Sequence, residues 1–284
     1  MSIKLRAASV SILVNVSLLI TKIIVAVITG SIGLIAESVH SMFDLLASFL
    51  AYMGIRKAEE PCDDVHHFGH HKFENLSSLL QALLITGTSL IIIWESYQKF
   101  RNPTPIANSW VGIILMLITI PVTLLTSRYL SRIAKEAGGS QALEADSAHF
   151  TTDVMGSVAV LLGLTAAHFG LSIGDPIAAL IVGLIMLYIS IHFVINSFRA
   201  FMDCSPDKET IAKIKRIIAR EKKVKNFHNL KARVAGSHVL IEFHIRVDKN
   251  MKAEEAHHIS HALKDNIMRK VPQVKHCTIH IEPD

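Results

Sequence analysis

The sequence predicts an α-helical membrane protein with six transmembrane helices, followed by a C-terminal cytoplasmic α+β domain of the ferredoxin-like, metal-chaperone-like kind. Three observations carry this. Mean hydropathy is +0.40 and 50% of the residues are hydrophobic, too apolar for an ordinary soluble chain. The apolar residues lie before Asp203 and thin out after it. The 16 histidines gather in clusters.

A hydrocarbon core of about 30 Å takes about 20 apolar residues in a helix. Six runs meet that length: 9–29, 32–55, 76–94, 110–130, 143–169 and 176–195. The first is too long and uniform for a secretory leader and no cleavage site follows it, so it is expected to direct insertion itself. Lys4 and Arg6 precede span one, Arg56, Lys57 and Lys72 lie between spans two and three, and Arg128, Arg132 and Lys135 follow span four. The opposite loops are poorer, with only Lys99 and Arg101 standing out. The positive-inside bias then places both termini in the cytoplasm. Lys22, inside span one, is expected to snorkel or meet an acid.

The turn-like segment DCSPDKE at 203–209 ends the bundle, giving domains 1–204 and 205–284. In the second, isoleucines 211, 214, 217 and 218 form a helical stripe. A strand is expected at 230–234, and AGS at 235–237 is a turn. Residues 238–247 alternate, Val239, Ile241, Phe243, Ile245 and Val247 facing one way and Leu240, Glu242, His244 and Arg246 the other. A helix at 252–270 and a strand at 276–281 complete an α-β-β-α-β order, which fits an open sheet with helices on one face.

The net charge of +5 carries no basic stripe with interleaved aromatics, so nucleic acid is not an expected partner. Cys62, Cys204 and Cys277 form no CxxC pair, which argues against a disulfide framework or a thiolate cage.

The chemistry lies in the spans. AESVHSMFD at 36–44 and ADSAHFTTD at 145–153 share one pattern, A-acid-S-x-H-x-x-x-D. Residues four apart share a helical face, so His40 meets Asp44 and His149 meets Asp153. Two such helices side by side offer two imidazoles and two carboxylates, a tetrahedral set suited to Zn²⁺, whereas Mg²⁺ and Ca²⁺ favour more oxygen. Polar contacts between helices are the competing explanation for either pair alone. Ionisable groups at membrane depth cost on the order of 3 kcal/mol each, which packing explains poorly when the pattern occurs twice. Glu37 and Asp146 are expected as acids on the outer and cytoplasmic sides of the set.

Six spans, GSIGLIAESVHSMFD, FGHHKFE, EADSAHFTTD, GDPIAALIVGLIM and a small α/β tail together resemble the cation diffusion facilitators over nearly the whole chain. The resemblance implies a homodimeric secondary transporter, not an enzyme, that exports divalent transition metals from the cytoplasm, usually against protons. It implies His40, Asp44, His149 and Asp153 as the transport site. The His form of the span-two pair is associated with zinc in that family. Fe²⁺, Mn²⁺ or Cd²⁺ as main substrate, or a membrane metal sensor, are the alternatives. The resemblance also maps Asp63, His66 and His70 of PCDDVHHFGHHK onto a loop metal site, and His228, His244, His257, His280 and Glu282 onto a cytoplasmic site. Glu282 stands where the family often has Asp. Lys72 and Asp203 would interlock helices near a dimer interface. His238, His258, His261 and His276 read as solvated surface, His67 and His71 as extra loop histidines, and Cys62 as an unassigned thiol. Zinc would be both transported substrate and regulatory ligand, with protons as coupling ion, in a prokaryotic inner membrane. A hydrolase would need an open metal position and a base, and no H-E-x-x-H occurs. A channel needs weaker, multi-site binding than four converging ligands give.

Overall fold

The fold was taken from a computed structural model, which describes residues 1–29, 32–101, 110–168 and 174–284. Six long helices come first: α1 (Ile3–Thr29), α2 (Ile32–Ala58), α3 (Lys72–Arg101), α4 (Trp110–Glu136), α5 (Gln141–His168) and α6 (Gly174–Phe201). Then follow α7 (Lys208–Ala219), β1 (Asn226–Ala235), β2 (His238–Val247), α8 (Ala253–Lys270) and β3 (Val274–Pro283). The chain divides into two compact units, Met1–Phe198 and Arg199–Asp284.

Helices of 27 to 30 residues rise about 40–45 Å, longer than a hydrocarbon core. They overrun their apolar stretches because the bilayer limits the apolar run, whereas the backbone ladder continues through polar residues such as Lys72, Glu74 and Asn75 at the start of α3. Among the described residues, α1, α3 and α6 are apolar enough to span a membrane by composition alone. Helices α2 and α5 carry His40 and Asp44, and Glu144, Asp146, His149 and Asp153, inside otherwise apolar runs.

Hydroxyls and amides tie the bundle together. Lys22 Nζ donates to Ser41 Oγ at 2.7 Å, so the buried lysine meets a hydroxyl on α2. Ser127 of α4 bonds the Ser147 carbonyl at 2.9 Å and the Thr151 hydroxyl at 2.7 Å on α5. Buried Glu74 accepts from Ser140 Oγ at 2.8 Å and pairs with Lys4, joining the starts of α1 and α3 to the α4–α5 turn. Helices α2 and α3 approach so closely that a Cβ on Gly54 would overlap Ser77 Cβ, and Ser77 Oγ donates to the Leu50 carbonyl at 2.7 Å.

In the second unit the three strands are ordered β1-β2-β3, antiparallel then parallel. The hairpin has a two-residue loop between Ala235 and His238, and Gly236 (φ 59°) takes its first central position, where a type II′ turn requires positive φ. The side of β2 expected to be apolar is buried: Val239, Ile241, Phe243, Ile245 and Val247 pack with Ile214, Ile217 and Ile218 of α7 and with Leu263 and Ile267 of α8. Asp207 caps α7, accepting from the Thr210 amide at 2.8 Å. Cys277 is buried in the same core, and burial pushes its thiol up to about 11, which makes it a packing residue. Two strands exceed their expected lengths. β1 begins at Asn226 because Asn229 (φ 51°) absorbs a register irregularity between His228 and Lys231, which hides the strand from any alternation rule. β3 runs two residues further at each end than 276–281.

Phe243 fills the centre of this core with no exposed surface. Phe243→Ala is expected to destabilise the second unit by about 3–5 kcal/mol. Hydrogen exchange on the intact chain would read this as faster exchange in β2 with protection in α1–α6 unchanged.

Candidate metal centre

Helices α2 and α5 run antiparallel and bring the two sequence repeats together. His149 Nε2 stands 3.1 Å from Asp44 Oδ1 and 4.0 Å from Asp153 Oδ2. His40 Nε2 stands 3.7 Å from the same Asp44 oxygen. Ligand atoms of His40, Asp44 and Asp153 all lie within 4.8 Å of one another. The edge of a tetrahedron with bonds of 2.0–2.1 Å is about 3.3–3.4 Å, so His40, Asp44 and Asp153 are spaced to share a cation, and His149 stands beside them against Asp44. Three of the expected residues group within 4.8 Å, and the fourth, His149, reaches them through Asp44 at 3.1 Å and Asp153 at 4.0 Å.

Asp146 does not join them. It lies one turn before His149 on α5, fully buried, and accepts from Ser48 Oγ of α2 at 2.8 Å. Ser48 bonds Ser11 of α1 at 2.6 Å and receives Asn15 Nδ2 at 2.8 Å. Asn15 also donates to the Asp44 carbonyl at 3.2 Å, so the network reaches the backbone of a candidate ligand. Among the described residues, Asp146 Oδ2 has no hydrogen-bond partner. Such a buried acceptor costs roughly 1–3 kcal/mol, which a purely structural role does not require. The side chain of Glu37, the expected outer acid, lies outside the described residues.

The loop between α2 and α3 holds a second cluster. Asp63 accepts from the backbone amides of Val65 and His66 at 3.0 and 2.5 Å, an Asx-type turn that fixes the carboxylate. His66 Nδ1 lies 3.1 Å from Asp63 Oδ1 and His70 Nε2 lies 3.3 Å from Asp63 Oδ2. His70 is buried, and its Nδ1 faces the Pro61 carbonyl at 3.1 Å. A proton on Nδ1 makes that bond and leaves the Nε2 lone pair toward Asp63, the orientation a ligand needs. The His66 amide, assisted by that of Val65, holds the exposed Asp63 carboxyl below its ordinary range. His71 is not merely an extra histidine. Its Nδ1 meets the Ala58 carbonyl at the end of α2, and burial pushes its pKa down. Cys62 is exposed.

The third cluster is written in strand register. His228 pairs with His244 across β1–β2, and His244 with His280 across β2–β3. A row of three imidazoles results, with ring centroids 5.1 and 4.7 Å apart. Glu282 lies beside it: His244 Nδ1 is 2.9 Å from Oε1, His228 Nε2 is 3.3 Å from Oε2, and His280 Nε2 is 3.9 Å from Oε1. The His244 hydrogen bond, with the neighbouring imidazoles and Arg246, holds the Glu282 carboxyl below its usual range. His257 is the exception. It sits exposed on α8, its ring 4.4 Å from that of His261 and tilted by 59°. Alternation is the reason: α8 packs on the Phe243 side of the sheet, whereas the imidazole row occupies the opposite, His244 side. His238, expected on the surface, is half-buried, while His258, His261 and His276 are exposed. Asp203 accepts from Arg233 Nη1 at 3.0 Å.

A bundle of membrane-length helices enclosing paired imidazoles and carboxylates, joined to a histidine-lined α+β domain, has the features of a membrane protein that handles cations. Comparison with known proteins makes this specific. Residues 8–202 match the cation efflux transmembrane domain and residues 206–284 the cation efflux protein cytoplasmic domain. The cation-efflux pump FieF of Shewanella oneidensis is 30% identical over 254 residues, covering 89% of this chain and 86% of that protein. FieF of Cronobacter sakazakii is 31% identical over 268 residues, covering 94% and 89%. A solved MamM CTD in a nickel form is 22% identical, covers 28% of this chain and 99% of that one, and aligns with a TM-score of 0.27, too low to bear on the fold. The chain belongs to the cation diffusion facilitator family. It is an integral membrane cation efflux transporter, of a family that moves divalent metal cations, with a cytoplasmic α+β domain.

The Glu282 contacts are expected to contribute fully above the unfolded glutamate value of about 4.3 and to be lost as pH falls through the depressed folded value. Carboxyl ¹³C titration of Glu282 would therefore show a midpoint below 4.3 that moves upward in His244→Gln. A midpoint at or above 4.3 in the intact chain would contradict the depression.

Proposed function

We propose that this chain exports Zn²⁺ from the cytoplasm in exchange for protons by alternating access, with His40, Asp44, His149 and Asp153 as its transport site. The observation that carries the reading is the grouping of His40, Asp44 and Asp153 from α2 and α5, with His149 Nε2 3.1 Å from Asp44. Two imidazoles and two carboxylates favour zinc over the hard cations. An imidazole lone pair holds a proton or a metal but not both, so loading metal expels protons and loading protons expels metal. That exclusion supplies the exchange without a separate proton site. The relatives are cation-efflux pumps, which supports the outward direction.

The remaining clusters take supporting roles in this reading. Asp63, His66 and His70 bind metal at the cytoplasmic end of the bundle. His228, His244, His280 and Glu282 bind regulatory zinc in domain 205–284, which follows a transport domain of 1–204. His257 stands apart from its own chain's row, which favours a homodimer in which it meets metal held by a second copy. Both termini face the cytoplasm of a prokaryotic cell, and the transporter lies in the inner membrane.

The test is zinc uptake into proteoliposomes under an imposed pH gradient. Flux is expected to follow the gradient and to fall at least tenfold in Asp153→Ala. Iron, manganese or cadmium moving faster than zinc would replace the substrate, flux indifferent to the gradient would remove proton coupling, and equal flux in both proteins would remove the quartet.

A further inference from the structure

Exposure along the quartet is graded. Antiparallel α2 and α5 place His40 and Asp153 away from the 59–71 loop, and Asp44 and His149 toward it. The side chains of His40 and Asp153 are 35% and 18% exposed, those of Asp44 and His149 8% and 4%. The next layer toward the loop is Asp146, Ser48, Ser11 and Asn15, in which exposure falls to at most 3%. This layer links three helices through hydrogen bonds of 2.6 to 2.8 Å: α5 to α2 through Asp146 and Ser48, and α2 to α1 through Ser48 with Ser11 and Asn15. This layer lies on the loop side of His149.

Carboxylate, hydroxyl and amide are unlike the apolar seal that a merely closed path would use. Each can trade a protein hydrogen bond for a contact to a cation. Asp146 also presents a buried oxygen, Oδ2, that has no hydrogen-bond partner among the described residues.

We propose that Asp146, held by Ser48, Ser11 and Asn15, is the inner gate of the transport path, and that its unpartnered oxygen is the ligand that receives a divalent cation on its way to the quartet. In the closed arrangement Ser48 holds one carboxylate oxygen and α2 stays against α5. An entering dication draws that carboxylate to itself, the Ser48 bond breaks, and the two helices part on the loop side. Asp146 is then a binding residue for the cargo in transit, and Ser48 is a positioning residue that acts through it. The proposal rests on the quartet being the transport site.

The test uses the full chain in membrane vesicles whose cytoplasmic face is turned outward, with Zn²⁺ added outside and an indicator inside. Asp146→Asn is expected to raise KM at least tenfold with kcat within about twofold, because capture fails while the quartet remains. Ser48→Ala keeps the carboxylate but frees it from α2, and is expected to lower KM at least twofold. A structural role would not split KM from kcat in this way. Intact KM in Asp146→Asn, or a loss of kcat alone, would overturn the gate. If Asp146→Asn fails to insert, unchanged KM in Ser48→Ala overturns it instead. An intact chain no more active than Asp153→Ala would sink the transport-site reading and the gate with it, whereas an active intact chain indistinguishable from Asp146→Asn would sink the gate alone.

Discussion

The interaction on which the rest of this structure depends is the approach of His149 to Asp44 across α2 and α5. Ionisable side chains inside a membrane bundle are tolerated when they meet one another or a cation. That requirement fixes which helices must be neighbours and which of their faces must meet. Helices α1 and α4 are then fastened to this pair by hydroxyls and amides: Ser11 and Asn15 on one side, Ser127 on the other. Between membrane helices there is little hydrophobic drive, so close packing and short polar bonds carry the association.

The cytoplasmic domain solves a similar problem by different means. Its cluster is made by pairing register, not by helical periodicity. With β1, β2 and β3 in register, one histidine per strand suffices to build the row. The opposite side of the sheet is buried, so a one-residue slip would invert the faces and disperse the row. The same apolar core therefore sets both stability and site geometry.

The bundle and its quartet were legible in the sequence because their signals are periodic. Apolar runs give helices, and A-acid-S-x-H-x-x-x-D twice gives two faces. What could not be read is what depends on packing between elements far apart in the chain. Nothing local marks Glu74 as fully buried beneath Lys4 and Ser140, since a glutamate near a helix start usually faces water. His238 reads as surface and is half-buried, because its place at the hairpin is set by Gly236. Asn229 conceals the first half of β1 by leaving the strand conformation for one residue. His257 carries the signals of a ligand, and only the sidedness of the sheet separates it from the row.

The contact between Gly54 and Ser77 has a mechanical consequence. With no side chain between the backbones, and with Ser77 fastened to the Leu50 carbonyl, α2 and α3 are pinned at one point near the loop end. Sliding α2 along α3 would drive Ser77 into a neighbouring residue that has a Cβ. A close contact of this kind resists sliding of α2 along α3 more than it resists tilt, and any tilt about it would move Ser48 and, further along the helix, His40.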